Sequence, residues 1–164
     1  YVNIQWQNIE ERNKFNFEKF NFAEMYGVQY DYTSIMHYAD TTFSSNGLVT
    51  IMAVNSEQQR LIGLTKGLSH RDKKIINAAY KCIDKWLDAC NMTAMEAACQ
   101  GEGYLGADCT CVCPRGTGGP NCQLNVHGYY EGLSGGSKSC LVTSQMNLEK
   151  LLLFVLLQLT RYIT

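Results

Sequence analysis

Along the first stretch of the chain, apolar Val2, Ile4 and Trp6 alternate with polar Asn3, Gln5 and Gln7, the period of a half-buried strand. From Asn8 to Phe20 apolar and polar residues mix without a clear period, and no element is assigned there. The next strong pattern opens at Ser69. Ser69-His70-Arg71-Asp72 resembles a capping box, with Asp72 in the place of the usual Glu. Behind it Ile75, Ile76, Ala79 and Tyr80 recur at helical spacing, and Ile83, Trp86 and Leu87 extend the same face. The pattern predicts one helix whose apolar residues serve core packing. Near the end, Leu151 to Leu157 form the longest apolar run, between Glu149-Lys150 and Arg161. A spanning helix needs about 18 apolar residues or more, so no transmembrane helix is expected.

Composition divides the chain into three segments. Residues 1–89 carry most of the aromatics and only one cysteine, Cys82. Residues 90–123 hold six of the eight cysteines. Residues 124–164 are a Gly/Ser-rich linker followed by the apolar tail. The tail's small residues, spacer and apolar end suggest a lipid-anchor signal, but Gln158, Thr160 and Arg161 interrupt it. A loosely packed or disordered tail is expected instead.

The cysteines change the picture most. A window as short as 90–123 cannot bury enough apolar surface to fold on hydrophobicity alone, so disulfides or zinc are implied. Cys109, Cys111 and Cys113 are spaced C-x-C-x-C. Cysteines two apart suit separate bridges better than one tetrahedral metal site, which favours disulfides and with them an oxidising, secreted setting. Asn91-Met92-Thr93 is a glycosylation sequon, which agrees.

Charge excludes a further class. The chain has 14 Lys+Arg against 15 Asp+Glu, without the basic surplus of a nucleic-acid binder. The hydrophobic share of 46% argues against disorder over most of the length. His37, His70 and His127 form no H-x-x-x-H pair, and neither a G-x-S-x-G elbow nor a phosphate-binding glycine loop is present. No self-sufficient active site can be named from these residues.

Tyr30-Asp31-Tyr32-Thr33-Ser34-Ile35-Met36-His37-Tyr38 resembles the Met-turn of the astacin zinc metalloendopeptidases, whose signature is S-x-M-H-Y after a Y-D-Y-like lead. Three more segments resemble the same family in the same order. They are Tyr1 to Ile9, Thr42 to Gly47, and Gly67-Leu68-Ser69 with Asp72, Asn77, Tyr80 and Cys82. The resemblance covers roughly residues 1 to 82. It implies an α+β fold: the C-terminal subdomain of a metzincin protease, irregular, with its Met-turn and C-terminal helix. In such enzymes an H-E-x-x-H-x-x-G-x-x-H motif supplies three zinc histidines and a general base, and zinc polarises the scissile carbonyl. Carried over, Met36 is the floor beneath the metal. Tyr38 is a switchable zinc ligand and transition-state stabiliser. His37 is not expected to be a ligand.

The zinc motif is absent from this sequence, which opens at Tyr1 just beyond where it would stand. A fragment or processed product is therefore expected, with no zinc bound to it and no activity of its own. Cys82 and Cys140 are expected to be unpaired or paired with residues upstream; where both are free, an oxidising compartment allows them to pair with each other or between chains. Where the family often reads G-Q-R before its last helix, this chain has Gly63-Leu64-Thr65-Lys66, so a preference for acidic substrates does not carry over to Lys66.

Residues 90–123 resemble an EGF-like module of the kind that follows invertebrate astacin domains, through Cys99 to Gly106 and Cys111 to Cys122. Six cysteines permit 15 pairings. The family pattern implies Cys90–Cys109, Cys99–Cys111 and Cys113–Cys122. No calcium site is implied, for want of an acidic lead. The functional expectation is a fragment of a secreted zinc metalloendopeptidase that hydrolyses peptide bonds in proteins. Its partners would be protein or peptide substrates, with an extracellular protein held by the EGF-like module. The alternative is a non-enzymatic secreted EGF-like interaction module carrying a vestigial protease half.

Overall fold

The computed structural model describes residues 1–19, 24–64 and 67–125. Lys66, His127, Cys140 and the tail beyond residue 125 lie outside these. Among the described residues the fold mixes short strands with two helices, and three disulfides join described cysteines. Among the described residues no helix is long and apolar enough to cross a membrane. The chain packs as two compact units. Among the described residues, one contains Tyr1–Met25 and Gln29–Ser69; the other contains Tyr26–Val28 and residues 70–125.

In the first unit, β1 (Val2–Ile4) pairs antiparallel with β2 (Ile51–Ala53), with Val2 opposite Ala53 and Ile4 opposite Ile51. The strand is shorter than the alternation suggested. After Gln5 the chain turns into a 3-10 turn over Trp6–Asn8, and Trp6 is 44% exposed instead of lying on the inner face. The ambiguous stretch that follows holds a second 3-10 segment, Glu11–Phe17. It ends by burying Phe17 almost completely. Val2, Ile9, Phe17, Tyr30, Ile51, Ala53 and Ile62 form the core of this unit. The Gln59 side chain engages the outer edge of β2. Ala53 N–H donates to Gln59 Oε1 at 2.7 Å, and Gln59 Nε2 donates to the Ile51 carbonyl at 3.1 Å.

In the second unit the predicted helix is present but broken. α1 spans His70–Ala79 and α2 spans Cys82–Ala89. Between them Lys81 adopts the left-handed conformation, φ 55° and ψ 32°, and its N–H bonds back to Ala78 in a tightened last turn. Neither Gly nor Pro marks the break, so nothing local announces it. The position it serves is Cys82, fully buried and disulfide-bonded. The expectation of an unpaired Cys82 is thereby corrected.

The compact units also depart from the division expected at residue 89. Trp86 and Cys82 of α2 share one core with Tyr104 and Leu105 of the cysteine-rich segment. There β3 (Tyr104–Leu105) pairs antiparallel with β4 (Cys111–Val112), and β5 (Thr117–Gly118) with β6 (Leu124–Asn125). Cys90–Cys109, Cys99–Cys111 and Cys113–Cys122 are bridged. Ion pairs tie α1 to the same segment: Glu102 lies 3.6 Å from Arg71 and 3.4 Å from Lys74. Two-residue strands bury too little to define a unit alone, and α2 supplies the aromatic they pack against.

Candidate functional site

The segment from Tyr30 to Tyr38 is a tight turn held by its own side chains. Asp31 Oδ1 accepts from the Thr33 N–H at 2.8 Å and from the Thr33 hydroxyl at 2.6 Å, an Asx-type turn. The Ser34 N–H donates to the Asp31 carbonyl and the His37 N–H to the Ser34 carbonyl. Ser34 Oγ accepts from the Met36 N–H at 3.1 Å. Asp31 and Ser34 are buried, so each of these polar groups needs the partners it has. From the far side Ser69 Oγ donates to Asp31 Oδ2 at 2.6 Å, anchoring the turn to the residue just before α1.

His37 lies buried inside the turn. Its Nδ1 is 2.7 Å from the Tyr38 carbonyl, which can only accept, so Nδ1 carries the proton. Nε2 then accepts from the Tyr30 hydroxyl at 2.7 Å. Burial pushes its pKa below the usual histidine value, with the Tyr38 carbonyl and nearby Asp31 pulling partly the other way. Both ring nitrogens are engaged within the turn, which leaves neither directed to a metal. Tyr30 is stacked in turn on Tyr1, with ring centroids 4.5 Å apart.

Met36 and Tyr38, the two residues singled out by sequence, both pack against the core of this unit. Tyr38 is half-buried between Phe17 and Phe43, at ring-centroid distances of 5.8 and 5.6 Å. Burial raises its phenol above the usual range. No hydrogen bond of its hydroxyl occurs among the described residues. The ring is held while the hydroxyl is uncommitted, an arrangement that suits a group meant for something outside the turn.

Sequence reading missed several supports of this site. Tyr30, Asp31 and Ser69 fix the turn; Phe17 and Phe43 hold the phenol. Asp31 could have been found, since Asp two residues before Thr is a turn signal. Gly63 is another. It has φ +76°, and a side chain there would come within 2.8 Å of Ala39 Cα, the backbone next to Tyr38.

Among the described residues no group of three His, Cys, Asp or Glu side chains could hold a metal. With His37 engaged and the cysteines of residues 90–122 bridged, one phenol oxygen does not make a zinc site, which takes about three protein ligands. Asn91, in the sequon, is exposed with φ 50°, and the Thr93 hydroxyl is bonded to Glu96 at 2.8 Å.

Comparison with known proteins places this turn in context. The peptidase family described as Astacin matches residues 1–81. Protein SpAN of Strongylocentrotus purpuratus is 36% identical over 125 residues, 75% of this chain and 20% of that protein. Blastula protease 10 of Paracentrotus lividus is 35% identical over 125 residues, again 75% and 20%. Zinc metalloproteinase nas-34 of Caenorhabditis elegans is 40% identical over 129 residues, 76% of the chain and 20% of that protein. The chain thus spans about a fifth of the length of these relatives.

Proposed function

Starting from a chain that belongs to the astacin family of zinc metalloproteinases, we propose that it is part of a secreted metalloendopeptidase that hydrolyses peptide bonds in proteins. In this reading the turn from Asp31 to Tyr38 is the family's Met-turn. Met36 would form the apolar floor of a zinc site whose histidines stand outside this sequence. Tyr38 would offer its hydroxyl to such a metal or to a developing oxyanion. Zinc, when bound by the longer protein, polarises the scissile carbonyl. This chain's contribution is a phenol that donates a hydrogen bond where negative charge develops. The observation that carries the reading is the contrast at Tyr38: a ring fixed by Phe17 and Phe43 beside a hydroxyl free of bonds among the described residues.

The phenol is protonated at neutral pH at the ordinary tyrosine pKa of about 10 and burial only raises that value, so the hydroxyl is available as a donor. Three disulfides, and an exposed Asn91 in its sequon, support an oxidising, extracellular setting with glycosylation at Asn91. Residues 90–123 are read as an EGF-like module that contacts a further extracellular protein. The chain alone is expected to be inactive, since it lacks a zinc ligand set and a general base.

The test is Tyr38→Phe in the longer protein that carries the zinc histidines. Turnover should fall by about 100- to 1000-fold, the range for loss of one oxyanion donor, with zinc content and KM little changed. Unchanged turnover at full zinc occupancy would remove Tyr38 from the mechanism.

A further inference from the structure

The two edges of the β1–β2 sheet are treated differently. On β2 three of the four outward groups are engaged: Gln59 bonds the Ala53 N–H and the Ile51 carbonyl, and the Ile51 N–H donates to the Asp40 carbonyl at 3.0 Å. On β1 the ladder bonds run through alternate residues. The Val54 N–H donates to the Tyr1 carbonyl at 2.8 Å, the Gln5 N–H to the Thr50 carbonyl at 2.9 Å, and Asn3 lies opposite Met52 between them. Bonded and non-bonded pairs alternate in an antiparallel ladder. Val2 and Ile4 therefore point their N–H and C=O groups away from β2. None of these four groups has a hydrogen bond among the described residues.

That edge faces a cavity of about 470 Å³ lined by β1 itself, Trp6, Phe17, Glu18 and Lys19. Phe17 is the buried floor, Trp6 a partly exposed wall, and Glu18 and Lys19 an exposed rim carrying both signs of charge. Four free backbone groups at two-residue spacing match another extended backbone. A helix uses its own N–H and C=O groups internally and cannot satisfy them.

We propose that the free edge of β1 is a strand-addition site that takes an extended peptide segment in antiparallel register. Residues opposite Val2 and Ile4 exchange hydrogen bonds with them and turn small apolar side chains onto Phe17 and Trp6. A charged residue at either end of the segment pairs with Glu18 or Lys19. This is β-augmentation, in which main-chain bonds give affinity and alternate side chains give selectivity. The proposal goes beyond the hydrolytic reading and needs no zinc.

The experiment uses the oxidised full chain and the peptide acetyl-KTVTVTE-amide, observed by amide NMR. Two further peptides carry N-methyl groups, one on the valines and the other on the threonines at positions 2, 4 and 6. Directly opposed residues share a sheet face, so the valines are the ones that donate to β1. Shifts should centre on Val2, Ile4 and the Trp6 indole. The N-methyl-valine peptide should bind at least about tenfold more weakly than the N-methyl-threonine one, as expected for losing one hydrogen bond or more. Ile4→Pro, which removes an outward N–H and no ladder bond, should also abolish binding; if that variant does not fold, the two methylated peptides decide. Equal affinities, shifts elsewhere, or no shift at about 1 mM peptide would overturn the proposal. So would a concentration-dependent dimer that protects the Val2 and Ile4 amides without peptide.

Discussion

The Tyr30 hydroxyl donates to His37 Nε2 at 2.7 Å, and that one bond, with Nδ1 committed to the Tyr38 carbonyl, fixes the imidazole as a neutral Nδ1–H tautomer. The histidine next to the proposed functional tyrosine is thus a brace.

A pH dependence follows. The folded-state pKa of His37 lies below its unfolded value of about 6.5. The folded state then binds fewer protons than the unfolded one, and stability rises with pH in that window. The contribution is fully present above about 6.5 and is lost as pH falls through the folded pKa. His70 is shifted the same way, chiefly by burial, so its signal must be separated. Long-range proton–nitrogen NMR should show His37 as the Nδ1–H tautomer titrating below the usual value. An Nε2–H tautomer or an ordinary titration would contradict the brace.

Gly63→Ala should cost more stability than Gly47→Ala. Both positions have positive φ, +76° and +79°. Backbone strain for a non-glycine residue there costs roughly 1–3 kcal/mol. Only at Gly63 does the new Cβ also meet backbone, 2.8 Å from Ala39 Cα. The Gly63 variant should therefore lose more stability in denaturant melts, with the Tyr38 ring signals shifting. Equal losses for the two would show that the approach to Ala39 relaxes without cost.

Limited proteolysis should report the packing of α2 on the cysteine-rich segment. With Trp86 and Cys82 sharing a core with Tyr104 and Leu105, the protected fragment of the non-reduced chain should begin near His70, not near Cys90. Trp86→Ala, a loss of about 3–5 kcal/mol for a buried aromatic, should open the segment to cleavage while leaving its three bridges intact. A resistant fragment starting at Cys90 in the unaltered chain would separate the helices from it.

What the sequence could convey was local. The strand at Val2, the helix after Ser69 and the turn around Met36 all rest on short-range spacing or on a compact motif. The halt of the strand before Trp6 and the break at Lys81 were not readable. Both answer to distant demands, the burial of Phe17 and of Cys82, and neither has a Gly or Pro to signal it. β2 was missed because three residues give no period. The union of α2 with Tyr104 could not be inferred either, since a composition boundary at residue 89 says nothing about which surfaces meet. At the site, Met36 and Tyr38 were visible, whereas the aromatic clamp of Phe17 and Phe43 was not. Its members come from segments without regular patterning.

The amide of Gln59 stands where a neighbouring strand would otherwise lie. Its consequence is a matter of valence. A sheet with two open margins can polymerise, each molecule bridging the next. With one margin stoppered by a glutamine, β1 is the margin of this sheet left open among the described residues, and any copy that joins another through it terminates the growth it starts. A side chain that satisfies one amide and one carbonyl thereby separates a sheet that can take a single guest from one that could seed a fibre.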